Sequence, residues 1–230
     1  MQHWKFESLV SDSNLFFPNA AKLSDRYEVT VPESAIKAKR NELISRGLSG
    51  RDLQEELTAF HWKTDPQKDL VLTNCWSLTP HESYALWKIY LGGEKNGVAI
   101  RSTVSSLRSS IEKGGDPISE EFFIGKVRYR DHLKQDELAR LSVVTTKKPF
   151  YDFEKELRVF ILNYPLSEGG YVPPYDMTVG RSVKVDLGVM VHAVYVSPFA
   201  DSGYQEQVAQ IVKGSAIGKI DVRHSEIRDK

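Results

Sequence analysis

Leu157-Arg-Val-Phe-Ile-Leu162 is the run that most constrains the fold. Apart from Arg158 it is wholly aliphatic or aromatic, and such side chains favour a pleated, buried surface. It reads as a buried strand. Leu15-Phe-Phe, Leu70 to Trp76, Val98 to Thr103, Phe122 to Tyr129, Val191 to Val196 and Lys219 to Arg223 read as further strands. Between them lie helical stretches. Thr30-Val-Pro-Glu33 opens one that runs to about Arg46: Thr30 can cap it, Glu33 can reach back, and Gly47 stops it. A second runs from Ser49 to about Trp62, with Leu53, Leu57 and Phe60 at helical spacing toward a core. Others span Glu82 to Leu91, Val104 to Glu112, Asp136 to Val144 and Tyr204 to Val212. Tyr164 to Arg181, rich in proline and glycine, reads as a long loop.

Strands and helices do not alternate strictly. The expected class is therefore α+β, a mixed and mainly antiparallel sheet core with flanking helices, rather than a doubly wound sheet. No linker or repeat interrupts residues 1–230, so the chain reads as a single α+β domain.

Charge and cysteine content narrow the function. Lys+Arg and Asp+Glu are equal at 31 each, so no net field draws the chain to nucleic acid or an anionic membrane. No run approaches the ~18 apolar residues of a membrane span. Cys75 is the one cysteine, which excludes a disulfide within the chain and a cysteine-rich zinc site. The polar, aromatic start Met1-Gln-His-Trp-Lys-Phe-Glu lacks a signal-peptide core, and the cytoplasm is the expected compartment.

The residues that carry chemistry fall in three segments. Glu154 and Glu156 immediately precede the buried strand. In an extended backbone they would share one face, and partial burial with mutual repulsion would raise one pKa. Arg158 continues that face and can pair with Glu156. Asn74-Cys-Trp-Ser-Leu-Thr79 places a thiol, an indole and the hydroxyls of Ser77 and Thr79 at a strand end, where hydroxyls can hold a ribose or carbonyl. Cys75 has no base at a motif-like position and reads as an inert thiol. Trp87, Lys88 and Tyr90 share one short helix and can offer a stacking platform with a phosphate contact; core packing is the plainer account of Trp87. Lys39-Arg40 and Lys147-Lys148 read as solvated faces. The six histidines show no i, i+4 pair, so no metal ligands are expected.

Several separated elements resemble the bacterial family called domain of unknown function 2971. They are Leu15-Phe-Phe-Pro with Leu23-Ser-Asp25 and Glu28; Cys75-Trp-Ser, Leu86-Trp-Lys-Ile-Tyr90 and Gly97-Val-Ala-Ile-Arg101; Val127-Arg-Tyr129 and Phe153-Glu-Lys-Glu-Leu-Arg158; and Val194-Tyr-Val-Ser-Pro198 with Ser225-Glu-Ile-Arg228. That resemblance spans nearly the whole chain and implies little about activity.

A second resemblance implies more. Ser77-Leu-Thr79 at a strand end and Glu154-Lys-Glu156 before a strand are similar to motifs of ADP-ribosyltransferases of the arginine-, serine- and glutamate type. It implies an ADP-ribosyltransferase-like fold and NAD as substrate. Glu156 would stabilise an oxocarbenium-like transition state and Glu154 would engage the acceptor. Ser77 would brace the site, and Thr79, Trp87, Lys88, Arg101 and Arg158 would line it. The early arginine of that group has no match, since Lys5 and Arg26 stand outside any motif.

The expected function is thus an NAD-using transferase or glycohydrolase acting on a nucleotide substrate and a macromolecular acceptor. Toxin or phage-defence roles are associated with such chemistry. One alternative is a non-catalytic module whose Trp76–Tyr90 block binds a ligand or partner. Another is a Mg²⁺-dependent nuclease built on Asp152, Glu154 and Glu156.

Overall fold

A computed structural model describes residues 1–23, 25, 27–115, 122–130, 138–162 and 178–227. The class is α+β with mainly antiparallel pairing, as expected. The chain forms two compact units. The first takes Met1–Phe16, Thr79–Ile118 and Ser182–Lys230; the second takes Phe17–Leu78 and Ser119–Arg181. The sequence reads as one domain because units interleaved in this way have no linker to betray them.

In the second unit, β7 (Glu156–Leu162) is the middle strand between β2 (Val71–Ser77) and β4 (Phe122–Lys126), antiparallel to both. Its residues are buried from Glu156 to Ile161. One face of this sheet changes character along its length. At one end Phe160 packs with Val71, Ala20, Val29 and Val144, and stacks on Phe123 at 5.4 Å. At the other end the same strand turns Arg158 and Glu156 to that face, because alternate residues point the same way.

Gly125, opposite Arg158, lacks a side chain for a definite reason. A Cβ there would lie 2.7 Å from Cγ2 of Thr145, which follows α6 (Arg140–Val144). The close approach sets the end of α6 over Arg158. Two short strands, β5 (Arg128–Tyr129) and β6 (Thr146–Lys147), run parallel beside it.

The helices α2 (Glu33–Ser45) and α3 (Gly50–Thr64) form a hairpin, with Gly47 at φ +88° in the turn. α2 begins after Pro32 without a side-chain cap. The expected cap, Thr30, instead donates its hydroxyl to the Tyr27 carbonyl at 2.6 Å. Leu53, Leu57 and Phe60 are half-buried, and Phe60 packs on Ala35, Leu138 and Val143.

In the first unit, β9 (Ala193–Val196) lies between β3 (Val98–Arg101), antiparallel, and β10 (Val222–His224), parallel. Around it stand α1 (His3–Asp12), α4 (Tyr84–Leu91), α5 (Val104–Lys113), α7 (Leu187–Met190) and α8 (Tyr204–Lys213). Phe6, Leu91, Val98, Leu107, Val194, Val196, Val208 and Val212 are buried there. β1 (Asn14–Pro18) pairs with β8 (Gly180–Lys184), two strands in which the chain passes from one unit to the other.

Three elements differ from expectation. No element is expected at α1; its buried Phe6, Leu9 and Val10 follow helical spacing, and Gln2 before it makes no side-chain capping bond. β8 begins within the stretch read as a loop, whose residues 164–177 lie outside the described residues. The helix expected from Asp136 spans Arg140–Val144, and Asp136 itself lies outside the described residues.

Candidate active site

The charged end of the β2–β7–β4 sheet gathers five ionised side chains from four separate stretches of the second unit. β7 supplies Glu156 and Arg158, two residues apart. The Arg158 guanidinium donates from Nε to Oε1 of Glu156 at 2.8 Å, from Nη1 to the Val144 carbonyl at 2.7 Å, and from Nη2 to Oε1 of Glu28 at 3.0 Å. β6 supplies Lys147, whose ammonium lies 2.7 Å from Oε2 of Glu154, 3.1 Å from Oε1 of Glu28 and 3.4 Å from Oε2 of Glu156. Three carboxylates thus face two cations, and Glu28 bridges both cations through one oxygen.

The expected pairing of Arg158 with Glu156 on one face is present. Glu154 arrives differently from expectation. The backbone is not extended there: Pro149–Glu154 is a 3-10 helix, and Lys155 then takes φ +46° before β7 starts. In a 3-10 helix residues i and i+3 eclipse. Tyr151 and Glu154 therefore share a face, and Lys147 meets both, with its ammonium 4.6 Å from the Tyr151 ring. The left-handed kink at Lys155 turns the chain so that Glu156 reaches the same ammonium from the strand.

A second kink brings in Glu28. The next residue, Val29, is buried with φ +56°. For a β-branched residue that conformation is an outlier. Strain of this kind costs on the order of 1–3 kcal/mol per residue and persists where surrounding contacts over-determine it. Here the strained residues sit beside the three carboxylates, and the ion pairs hold them. One layer further out, Lys148 lies over the Tyr27 ring at 4.4 Å.

The electrostatics favour the ionised form of Glu156. Burial alone would push the Glu156 carboxyl up. Arg158, a hydrogen bond from the Cys75 thiol and Lys147 outweigh it, and the group is held below the ordinary carboxylate range. At Glu156 the expected rise is not seen, because Arg158 and Lys147 both lie against its carboxylate. Burial also works against the Lys147 ammonium, yet its hydrogen bond to Glu154 and the charges of Glu28 and Glu156 hold it well above the lysine range. The Tyr129 hydroxyl, pushed up by burial, accepts the Glu156 backbone N–H at 2.7 Å.

Cys75 stands opposite Arg158 across β2 and β7. The residue is exposed, while its thiol meets Glu156. Cys75 lies on the edge strand of this sheet, on the face that carries Arg158. Burial pushes the thiol up, Arg158 opposes this, and Glu156 adds to the push, bringing it to about 12. It is a poor nucleophile in that state.

Ser77 stands directly opposite Glu156 in the strand register, and its hydroxyl donates to the Glu154 carbonyl at 2.7 Å. The two expected motifs, far apart in the chain, thus meet. Among the other expected site residues, Arg158 belongs to this cluster, whereas Thr79, Trp87, Lys88 and Arg101 belong to the first unit. Trp87 is 6% exposed and packs in that unit's core, so its ring is not a free platform. The Lys88 ammonium lies 3.6 Å from the centre of the Phe199 ring.

Lys147 and Glu28 are the residues that sequence reasoning placed elsewhere. Lys147 reads as part of a solvated basic pair; its side chain is 9% exposed and is the hub of the cluster, because three carboxylates converge on it. Asp152, expected in an acidic triad, instead pairs with Lys155 at 3.5 Å at the surface. Among the described residues no group of three or more His, Cys, Asp or Glu side chains is placed to hold a metal ion. No helix among them is long and apolar enough to cross a membrane. The chain matches no family model, no curated protein and no solved structure.

Proposed function

We propose that the second unit is an NAD-cleaving catalytic unit of ADP-ribosyltransferase or NAD glycohydrolase type. The observation that carries this reading is the meeting of Ser77 with the Glu154-Lys-Glu156 segment: register partner of Glu156 and hydrogen-bond donor to Glu154. Cleavage of the bond between nicotinamide and ribose develops positive charge on the sugar, and a pre-placed carboxylate stabilises that charge without reorganising. Exposure divides the labour between the two glutamates. The Glu154 side chain is 12% exposed and that of Glu156 3%. In this reading Glu154 is the carboxylate that a ligand meets, and Glu156 with Lys147 positions it. The resemblance alone would give the reverse assignment.

The test is NAD consumption by the full chain, its Glu154→Gln variant and its Glu156→Gln variant, with folding followed by circular dichroism. The reading expects turnover by the wild type, and loss of turnover in a fully folded Glu154→Gln. Absence of NAD turnover by the wild type, with or without cell extract as acceptor, overturns it.

A second reading is favoured by the near-complete burial of Arg158 and Glu156. In it the cluster is a structural core of the unit and the protein is a binding module. Exposed Tyr84, Ile89 and Tyr90 on α4 would then form the partner surface in the first unit. Under this reading both glutamine variants lower stability alone, and alanine at Tyr84 or Tyr90 weakens binding.

A further inference from the structure

The β3–β9–β10 sheet of the first unit turns one face to the core and leaves the other polar. Val98, Val194 and Val196 are buried on the first. The opposite face carries Ala99 and Arg101 from β3, Tyr195 from β9 and Arg223 from β10, because these alternate with the core residues. Tyr195 is the register partner of both Ala99 and Arg223. Arg101, two residues beyond Ala99, donates from Nη1 to the Tyr195 hydroxyl at 3.3 Å. Arg223, the register partner of Tyr195 on β10, stands on the other side of the same side chain.

Two guanidinium groups therefore flank one phenol side chain on the same face of the sheet. Like charges so placed repel, and only one is compensated. Arg223 is paired from Nε to Asp221 at 3.0 Å, whereas Arg101 has only the neutral hydroxyl as side-chain partner among the described residues. The face bears two positive charges against one negative. The Tyr195 hydroxyl accepts from Arg101 and keeps its own proton to donate. Ala99 beside it adds little bulk. Two forked donors and an O–H around an excess positive charge are the chemistry of oxyanion recognition.

We propose that this face binds the phosphate or diphosphate group of a small ligand, with Arg101, Tyr195 and Arg223 as its donors. The ligand oxygens take the unused guanidinium N–H groups and the Tyr195 proton, and the anion relieves the repulsion between the arginines. The site stands apart from the NAD reading, since each of its residues lies in the first unit.

The experiment is calorimetric titration of the full chain with pyrophosphate and with inorganic phosphate at low ionic strength. The variants are Arg101→Gln, Arg223→Gln, Tyr195→Phe and Arg101→Lys. Arg101 and Arg223 are exposed, so melting temperatures should stay at the wild-type value. The proposal expects saturable binding of pyrophosphate by the wild type and weakening of about tenfold or more in either glutamine variant. Arg101→Lys, which keeps the charge and loses the fork, should fall between. Equal binding by wild type and Arg101→Gln, no binding by the wild type, or binding only to a single-stranded oligonucleotide overturns it.

Discussion

Glu28 and Arg158 lie 130 residues apart in the chain and meet at 3.0 Å inside the second unit. Around that contact a buried network of opposite charges closes, with Lys147 as the second cation. Burying such charges is expensive unless all are paired. The pairing therefore locks together the turn at Val29, the end of α6, the 3-10 helix at Pro149–Glu154 and the middle strand.

Replacing Lys147 by Met removes one cation and leaves three carboxylates facing Arg158 alone. Breaking a buried pair by removing one partner costs about 3–5 kcal/mol. Urea denaturation of Lys147→Met should show a loss in that range. A loss under ~1 kcal/mol would mean that the ammonium is effectively solvated.

The Glu156 contribution has a defined pH sign. Its folded pKa lies below its unfolded value of roughly 4.3, so it stabilises the fold above that value and the stabilisation disappears as pH falls through the folded pKa. The stability gap between wild type and Glu156→Gln should be widest near neutral pH and narrow on acidification below about pH 4. Denaturation midpoints of both proteins from pH 7 to pH 3 check this, and a gap that does not change with pH would contradict it.

Thr73 is buried on β2 and its hydroxyl has no hydrogen-bond partner among the described residues. An unsatisfied buried hydroxyl costs on the order of 1–3 kcal/mol. Thr73→Val should therefore be neutral or stabilising by about 1 kcal/mol, seen as a higher melting temperature. A clear destabilisation would show that the hydroxyl has a partner, such as bound water.

Gly125→Ala places a methyl against Cγ2 of Thr145. Overpacking of this kind costs about 1–3 kcal/mol. Thr145→Ser deletes the obstructing methyl and keeps the hydroxyl that donates to the Leu141 carbonyl. The double variant should recover most of the loss in a thermal melt; simple additivity would place the clash elsewhere.

With its thiol near 12, Cys75 should react slowly with iodoacetamide at pH 8 in the folded protein and rapidly in urea. Glu156→Gln removes a neighbouring negative charge and should speed the folded-state reaction. Rapid alkylation of the native wild type would contradict the packing of the sulfur.

Much of the fold was legible in the sequence because it rests on local patterns. The run from Leu157 to Leu162 is the middle strand, and Gly47 ends α2 as its backbone freedom suggests. The Glu156–Arg158 pair followed from the two-residue repeat of a strand. What escaped was set by distant contacts. Lys147 lies beside Lys148 in a pattern typical of surfaces, and only the arrival of Glu28, Glu154 and Glu156 buries it. The kinks at Val29 and Lys155 carry no glycine to announce them. Arg101 and Arg223 come to either side of β9 and its Tyr195 only through the register of β3, β9 and β10.

The interleaving of the two units orders their assembly. During synthesis every piece of the second unit is available once residue 181 has been made, whereas β3 of the first unit still waits for β9. β3 thus spends the making of some ninety further residues without its neighbour in the sheet, counting from Arg101 to Ala193. Long-range pairing of that kind slows folding, and domains tend to form in the order in which they emerge. The second unit can be whole while the first is still a set of fragments. A stop at residue 181 would leave a complete charged centre attached to an unfinished partner, a natural place for a nascent chain to need a chaperone.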